Sequence, residues 1–216
     1  LEARQRAKCL CHRFNTQSPE DNAYAQHQQE TLQALLGHVG TQCWIEAPFH
    51  CDYGTQITIG DHFFANYDCI FLDVAPIVIG NHVFLGPRVS LFTAGHPLTA
   101  QIRNLELEFG KPITIGDSVW IGGDTTVLPG VTIGPETVVA AGSVVTKDLP
   151  GGVIAVGNPC RVLRPLTEED QAFWQALREA NCKAAHEKKK EKAGRAFSFS
   201  ISRTASVHLL AAAEVH

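Results

Sequence analysis

The fold is decided by residues 112–150, PITIGDSVWIGGDTTVLPGVTIGPETVVAAGSVVTKDLP. Aliphatic residues recur in this stretch at a constant interval of six: Ile115, Ile121, Val127, Ile133, Val139 and Val145. An α-helix repeats near 3.6 residues and an ordinary strand at two, so neither explains this period. Hexapeptide repeats are typical of parallel β-helices, in which each hexad forms one short side of a coil. The branched residue then points inward, and the Gly or Ala that follows most of them leaves room at the corner. The stretch therefore predicts an all-β solenoid.

The same period extends upstream, but with two interruptions. The inward positions there are Ile59, Ala65, Phe71, Ile79, Leu85 and Leu91. The step of eight between Phe71 and Ile79 predicts a two-residue insertion at a corner, at Ala75-Pro76. The register then breaks at Thr93–Pro97 and resumes at Ile113, so residues 97–112 are predicted to leave the coil as a loop. A long loop ejected from a regular solenoid is usually functional.

The segments on either side of the solenoid are predicted to be helical. Residues 1–40 carry one apolar stripe that ends at Asn15 and a second helix that starts at a cap, Ser18-Pro19-Glu20-Asp21, and stops at Gly37. The solenoid domain is predicted to span residues 41–165. Residues 166–216 are predicted to form a helix of roughly 15–20 residues, capped near Thr167, and a poorly ordered tail over 195–216.

Composition indicates an ordinary globular protein. Hydrophobic residues make up 44% and charged residues 19% of the 216 residues, and the net charge of −4 gives no reason to expect a nucleic-acid partner. No apolar run reaches the ~18 residues that span a bilayer, so no membrane association is expected.

Cysteine usage predicts the compartment. The chain has seven cysteines, an odd number without a CxxC pair, which indicates free thiols in a reducing, cytoplasmic environment. The sequence begins at Leu1 and contains no methionine. We therefore expect it to be a fragment of a longer chain, for which N-terminal targeting cannot be judged.

Candidate chemistry lies where the repeat breaks. His96 stands just before the ejected loop, and an imidazole can accept a proton from a hydroxyl near neutral pH; a surface histidine at a turn is the alternative. Asn66 could donate an amide hydrogen bond to a developing oxyanion, or could simply occupy a turn. Asp52 and Asp73 could bind polyol hydroxyls, although an aspartate in a turn usually caps backbone N–H groups.

Several segments together resemble one known family. Residues 49–54 (FHCDYG), 63–68 (FFANYD), 93–97 (TAGHP), 110–116 (GKPITIG) and 119–123 (VWIGG) are similar to those of the maltose/galactoside O-acetyltransferases. These are hexapeptide-repeat acyltransferases related to the nodulation acetyltransferases. Residues 144–148 (VVTKD) and 157–159 (GNP) match as well, and the resemblance covers about residues 1–165.

The resemblance implies a left-handed parallel β-helix that assembles as a homotrimer, with active sites between subunits. It implies direct transfer of an acetyl group from acetyl-CoA, the co-substrate, to a hydroxyl of a small sugar such as a maltose-, glucose- or galactoside-like acceptor. No metal is expected. It also implies an acidic acceptor-site residue upstream of Leu1.

The resemblance assigns roles to individual residues. His96 matches the general base, and Asn66 matches a residue that contacts the acceptor and stabilises the transition state. Asp52 and, more loosely, Glu108 match acceptor-site positions. The predicted acetyl-CoA site comprises Trp120, Gly123, Ala141, Thr146, Lys147, Arg161 and Arg164. The two arginines suit the CoA phosphates, because guanidinium groups bind phosphate well.

Two alternatives use the same scaffold. The first is a non-catalytic trimeric scaffold. The second is a zinc-dependent hydratase, since His62 and His82 each follow an inward position by three residues and are predicted to stack on adjacent coils. Zinc would need a third converging ligand, and His96 lies at a different phase of the repeat.

Overall fold

The body of the protein is a parallel β-helix in which residues 38–156 wind through six coils. The computed structural model describes residues 1–184 and residue 188. Each of the first five coils has three short strands, one in each of three sheets that we name A, B and C. The predicted left-handed parallel β-helix, with N-terminal helices, an ejected loop and a C-terminal helix, is confirmed.

The strands follow one another coil by coil. The first coil holds β1 (His38–Val39), β2 (Trp44–Ile45) and β3 (Phe49–Cys51). The second holds β4 (Ile57–Ile59), β5 (Phe64–Ala65) and β6 (Cys69–Leu72). The third holds β7 (Ile77–Ile79), β8 (Phe84–Leu85) and β9 (Ser90–Phe92). The ejected loop adds β10 (Ala94–Gly95) and β11 (Phe109–Gly110).

The coil resumes after the loop. The fourth coil holds β12 (Ile113–Ile115), β13 (Trp120–Ile121) and β14 (Thr126–Val127). The fifth holds β15 (Thr132–Ile133), β16 (Val138–Val139) and β17 (Val144–Val145). The sixth is partial, with β18 (Val153–Val156), onto which β19 (Arg161–Pro165) folds back antiparallel.

Strand register confirms both interruptions that the sequence predicts. Ile59 pairs with Ile79 although they are twenty residues apart, so the insertion at Ala75-Pro76 is absorbed at a corner. Val127 pairs with Leu91 across the ejected loop, so the coil resumes in phase. The loop itself leaves through the antiparallel pair β10–β11 and contains one helical turn, α3 (Ala100–Arg103).

The core contains two inward residues for each side of a coil. The hexad positions are fully or nearly fully buried, and so are the residues two places before them, for example Ile113, Val119 and Val131. Three of these second positions are polar: Thr125, Thr137 and Ser143. Their hydroxyls donate to backbone carbonyls of Ala140 and Pro150, so their burial carries no unpaired donor.

The corners depend on tight backbone contacts between coils. At one corner the Asp61 and Asn81 side chains accept the N–H of Thr41 and Asp61, and Asp117 does the same for Asn81. The glycines at these corners leave no room for a side chain, because a Cβ on Gly60 would lie 2.6 Å from Asn81 Oδ1. Other corner residues adopt left-handed backbone angles, including His62, His82 and Ser118.

Two helices close the N-terminal end. Helix α1 (Glu2–Asn15) ends where the sequence predicts and buries Ala7, Cys11 and Phe14. Helix α2 (Tyr24–Leu35) begins later than predicted. Residues 18–23 form turns instead, because the Asp21 carboxylate accepts the N–H of Ala23 and contacts His27. The solenoid then begins with β1 at His38.

The chain divides into two compact units after Leu166. In the second unit, residues 168–184 are helical, and Thr167 and Asp170 exchange hydrogen bonds as a capping box. The predicted poorly ordered tail, 195–216, lies outside the described residues. Among the residues that are described, we find no helix of the length and apolarity that crossing a membrane requires.

Alternation along a single strand gives a test of this core. Ile133 on β15 is fully buried, whereas its neighbour Thr132 is exposed. We expect Ile133→Ala to lower the free energy of unfolding by about 2–5 kcal/mol, because it leaves a cavity between coils. Thr132→Ala should change it by less than about 0.5 kcal/mol. Urea unfolding followed by circular dichroism measures both, and equal losses would contradict the assigned inward face.

Candidate active site

His96 is held by the ejected loop. It follows β10 and is solvent-exposed, and its Nδ1 lies 3.0 Å from the backbone carbonyl oxygen of Leu107. A carbonyl can only accept, so Nδ1 is the donor in this bond, and in the neutral imidazole Nε2 then keeps its lone pair. The loop therefore fixes both the orientation and the tautomer of the imidazole, and leaves Nε2 as the basic nitrogen.

Two predicted acceptor residues meet at one arginine. The guanidinium of Arg4, on α1, lies 3.6 Å from Asp52 Oδ2 and 3.7 Å from Glu108 Oε2. It also stands over the Tyr53 ring, 5.0 Å from its centroid. Glu108 directly follows Leu107, the hydrogen-bond partner of His96, so the two carboxylates and the histidine belong to one neighbourhood. The structure thus brings Asp52, Glu108 and His96 to one end of the loop.

Asp73 has a different place from the other predicted acceptor residues. Its side chain is fully buried, and its carboxylate accepts the backbone N–H groups of Asp52, Tyr53 and Gln56 at 3.0, 2.8 and 3.3 Å. Burial raises the pKa of this carboxyl, and these hydrogen bonds counteract the rise. Asp73 therefore holds the turn that carries Asp52, which is the capping alternative for an aspartate in a turn.

The three sheets form the sides of a triangular prism, and Asn66 lies on a different edge of this prism. Ala65, Leu85, Ile121 and Val139 pair in register, so the residues after them stack along one corner. This corner, which we call the asparagine edge, consists of Asn66, Gly86–Pro87, Gly122–Gly123 and Ala140–Ala141. Two predicted acetyl-CoA residues, Gly123 and Ala141, thus share it. Asn66 Oδ1 accepts the N–H of Tyr67 at 2.8 Å, which leaves its NH₂ group as a donor.

Asp52 and the loop occupy the next edge. Cys51, Phe71, Leu91, Val127 and Val145 pair in register across sheet C. The corner after them, which we call the histidine edge, carries Asp52, Asp73, the loop with His96, and Thr146–Lys147. One side of the prism separates the two edges, and at ~3.3 Å per residue a six-residue side is about 15–20 Å wide. A single chain therefore does not unite Asn66 with His96.

Sheet B presents large apolar side chains to solvent. Its outward positions pair as Trp44 with Phe64, Phe64 with Phe84, and Phe84 with Trp120. Phe84 is 52% and Trp120 55% exposed. Large exposed apolar patches are typical of interaction surfaces. The predicted CoA residue Trp120 lies in this stripe, immediately before the asparagine edge.

The two predicted phosphate-binding arginines lie at the far end of the solenoid. Arg161 and Arg164 are exposed residues of β19, which pairs with β18 on the last coil. The predicted residues thus follow an order along the axis. Acceptor residues lie on the first coils and His96 at the third. The predicted CoA residues lie on the fourth to sixth coils.

The predicted histidine stack is confirmed. The rings of His62 and His82 lie parallel, with centroids 4.4 Å apart and planes inclined by 7°. Within the described part of the chain, no group of three or more His, Cys, Asp or Glu side chains is arranged to hold a metal ion. A zinc centre at this pair would need ligands from elsewhere.

The sequence does not single out Arg4. A single arginine on a short amphipathic helix has no pattern that separates it from a solvated residue. Proximity in sequence could not reveal it, because Arg4 is separated from Asp52 by the whole of the first coil. The signal that the sequence does contain is the pair of acidic residues, Asp52 and Glu108, which require a counter-charge when they meet.

Comparisons with known proteins agree with this architecture. Residues 112–147 match the family model described as bacterial transferase hexapeptide (six repeats), and residues 1–40 match the maltose acetyltransferase hexapeptide capping motif. The galactoside O-acetyltransferase of Escherichia coli is 38% identical over 173 residues, which cover 80% of this chain and 84% of that protein.

Two solved structures have the same fold. A maltose O-acetyltransferase from Clostridium difficile superposes with a TM-score of 0.74 at 48% identity, over 77% of this chain and 88% of that one. A galactoside acetyltransferase in complex with coenzyme A gives a TM-score of 0.76 at 38% identity, over 79% and 84% of the two chains. The fold and these comparisons thus define a hexapeptide-repeat acyltransferase. The chain belongs to the maltose/galactoside O-acetyltransferase family, and it is an acetyltransferase.

The role of Asp73 can be tested by stability. Asp73→Ala leaves three backbone donors of the 52–56 turn without a partner, so we expect a loss of about 3 kcal/mol or more in the free energy of unfolding. Asp52→Ala, on the same turn but partly exposed, is the matched control and should cost less than about 1 kcal/mol. Urea denaturation measures both. Similar losses for the two variants would remove Asp73 from its supporting role.

Proposed function

We propose that the protein transfers an acetyl group from acetyl-CoA to a hydroxyl of a small saccharide, directly and with His96 as general base. The observation that carries this proposal is the hydrogen bond from His96 Nδ1 to Leu107, which leaves Nε2 basic at the mouth of an ejected loop. We infer the co-substrate and the class of acceptor from the family, whose members include a galactoside acetyltransferase in complex with coenzyme A.

The reaction requires one proton transfer and no covalent enzyme intermediate. His96 Nε2 takes the proton from the sugar hydroxyl while its oxygen attacks the thioester carbonyl. The resulting tetrahedral oxyanion collapses, breaks the C–S bond and releases CoA as a thiolate, which recovers the proton from the imidazolium. A thioester already has a good leaving group, so deprotonation of the hydroxyl is the step that needs help. The Asn66 NH₂ group is suited to donate to the acceptor or the oxyanion.

We assign acceptor binding to the cluster around Arg4. Asp52 and Glu108 offer carboxylate oxygens to sugar hydroxyls, and Arg4 supplies both a donor and the counter-charge that keeps the two carboxylates together. Asp73 acts through the turn, by holding Asp52. The acceptor is therefore expected to be a neutral polyol that both accepts and donates hydrogen bonds.

We assign acetyl-CoA binding to the C-terminal half of the solenoid. Trp120 and the Gly123 N–H would meet the thioester region, and Ala141, Thr146 and Lys147 would line the pantetheine and nucleotide. The exposed guanidinium groups of Arg161 and Arg164 would meet the phosphates. This assignment fits the order of these residues along the axis, since a long linear co-substrate lying along the prism passes them in that sequence.

We further propose that the active unit is a homotrimer with its sites between subunits. The asparagine edge and the histidine edge are one prism side apart within a chain, so a site that uses Asn66 and His96 together needs two copies. Packing of prisms side by side around a threefold axis would bring the asparagine edge of one subunit against the histidine edge of its neighbour. The exposed apolar stripe with Phe84 and Trp120 supports such packing.

Removal of the imidazole tests the base assignment. We expect His96→Ala to lower kcat by about 10²–10⁴-fold, because general-base catalysis contributes that much, while the affinity for CoA stays unchanged. The assay is acetyl-CoA-dependent thiol release with a panel of glucosides, maltose and galactosides. His62→Ala, at an exposed histidine of the stack, is the control and should retain full activity. If His96→Ala turned over at the wild-type rate, His96 would not be the base; if the wild type bound CoA but acetylated no sugar, a non-catalytic scaffold would be favoured.

Mixed oligomers test the shared site. Asn66→Ala and His96→Ala are each expected to be severely impaired alone, but when refolded or expressed together they form hybrid trimers. In a 1:1 random mixture about one quarter of the interfaces pair an intact asparagine edge with an intact histidine edge, so about one quarter of the wild-type activity should return. Mixtures of His96→Ala and wild-type protein at known ratios show how completely the subunits exchange. If subunits exchanged but activity did not return, Asn66 and His96 would have to act within the same chain or in separate steps of the reaction.

A further inference from the structure

Two thiols meet where helix α1 packs on the first coil. Cys11 is buried on α1, Cys51 is the last residue of β3, and their Sγ atoms lie 3.7 Å apart. Both are free in the structure. A disulfide requires about 2.05 Å between the sulfurs, so a small approach of the two elements would join them.

A cavity gives small molecules access to this pair. It has a volume of about 400 Å³, and both cysteines line it together with Lys8, His12 and His50. Cys51 is partly exposed, whereas Cys11 is 5% exposed. The side chains that line the cavity therefore include one ammonium group and two imidazoles, which can donate hydrogen bonds to an anionic reagent.

The contact between the thiols also favours a thiolate. A hydrogen bond from Cys51 lowers the pKa of Cys11 to about 7, and the same bond, together with burial, raises the pKa of Cys51. The two thiols together therefore lose one of their two protons more readily than an isolated thiol would. The carboxylates of Asp73 and Asp52 oppose ionisation of the pair, but more weakly than the hydrogen bond favours it at Cys11. A thiolate is the species that attacks a disulfide sulfur.

We propose that Cys11 and Cys51 form a redox modification site that reacts with low-molecular-weight disulfides and closes to an intramolecular disulfide. In the first step one protein thiolate attacks a sulfur of the reagent RSSR, forming a mixed disulfide and releasing one thiolate. The second protein thiolate then attacks the protein sulfur of the mixed disulfide and releases the other. The balance is protein(SH)₂ plus RSSR giving protein(S–S) plus two RSH, so the protein thiols are oxidised and the reagent is reduced.

Closure of this disulfide acts on the acceptor cluster. Arg4 lies two turns before Cys11 on the same helix, and Asp52 is the residue after Cys51, so drawing Cys11 toward Cys51 also draws Arg4 toward Asp52. A tighter ion pair competes with sugar hydroxyls for the same oxygens. This consequence rests on the proposed function, whereas disulfide formation itself does not. The oxidised protein should have a higher KM for the acceptor and an unchanged KM for acetyl-CoA.

The chemical test uses the full chain with the exposed cysteines replaced, Cys9→Ser and Cys182→Ser, which prevents cross-links between molecules. The folded protein is equilibrated with oxidised and reduced glutathione at stepped ratios, quenched by alkylation and analysed by intact mass and peptide mapping. We expect each chain to lose about 2 Da, with a Cys11–Cys51 cross-linked peptide and Cys43, Cys69 and Cys160 alkylated only after unfolding. A stable glutathione adduct without closure, or no reaction at ratios that oxidise a free dithiol, would overturn the proposal.

Two readouts measure the consequence of closure. The disulfide closes a loop of about 40 residues, so the oxidised form should melt at least about 5 °C higher than the reduced form. Its acceptor KM should rise threefold or more, reversibly with dithiothreitol. Cys51→Ala treated with the same glutathione mixtures is the control and should show neither change. A closed disulfide without any change in KM would overturn the regulatory consequence, whereas absence of turnover in both redox forms would count against the proposed function instead.

Discussion

Backbone hydrogen bonding between successive coils is the constraint on which the rest of this structure depends. Each strand pairs in register with the strand one coil away, so coils stack ~4.8 Å apart and sequence position becomes position along the axis. The spacing holds only if nothing intrudes at the corners. Glycine at Gly60 meets that requirement because the Asn81 side chain fills the space where a Cβ would lie. Side-chain carboxylates and amides of Asp61, Asn81 and Asp117 then bond the corner N–H groups of the preceding coil.

This constraint explains why so much of the fold can be predicted from the sequence. Contacts between coils appear in the sequence as a repeat of six, so the inward positions can be identified from that repeat. The insertion at Ala75-Pro76 and the ejected loop appear as changes in its phase. The burial of three polar residues, Thr125, Thr137 and Ser143, cannot be predicted from the repeat. They are inward but lie two places before the hexad position, and their burial depends on carbonyl partners in neighbouring turns that no pattern specifies. The late start of α2 has a similar cause, since Asp21 caps a turn that the Ser-Pro pair alone does not predict.

The candidate site can be predicted less completely because most of it leaves the repeat. His96 is visible as the last residue before the break in register, and its hydrogen bond to Leu107 adds the tautomer that the sequence cannot give. Asp73 shows the opposite case. Its residue type suits a sugar hydroxyl, but the fold buries it and uses its carboxylate for three backbone donors. Arg4 could not be found at all without the fold, because its link to Asp52 and Glu108 joins a helix, a coil and a loop.

The division between regular and irregular parts also separates the tasks that we propose for them. Most residues proposed for acetyl-CoA lie on the parallel coils, where register fixes their spacing and a shift of one residue would turn inward side chains outward. Arg161 and Arg164 are the exception, because they lie on β19, which folds back antiparallel onto the last coil. Apart from Asn66, which follows the hexad position Ala65, the residues proposed for the acceptor come from α1, from the corner held by Asp73 and from the ejected loop, none of which is bound by the hexad period. Substitution of the exposed residues there is expected to change the proposed acceptor pocket with little effect on the stack of coils. The same freedom explains why we propose that the contact between Cys11 and Cys51 can alter acceptor binding, since α1 is anchored by side chains and not by the continuous backbone pairing that fixes the solenoid.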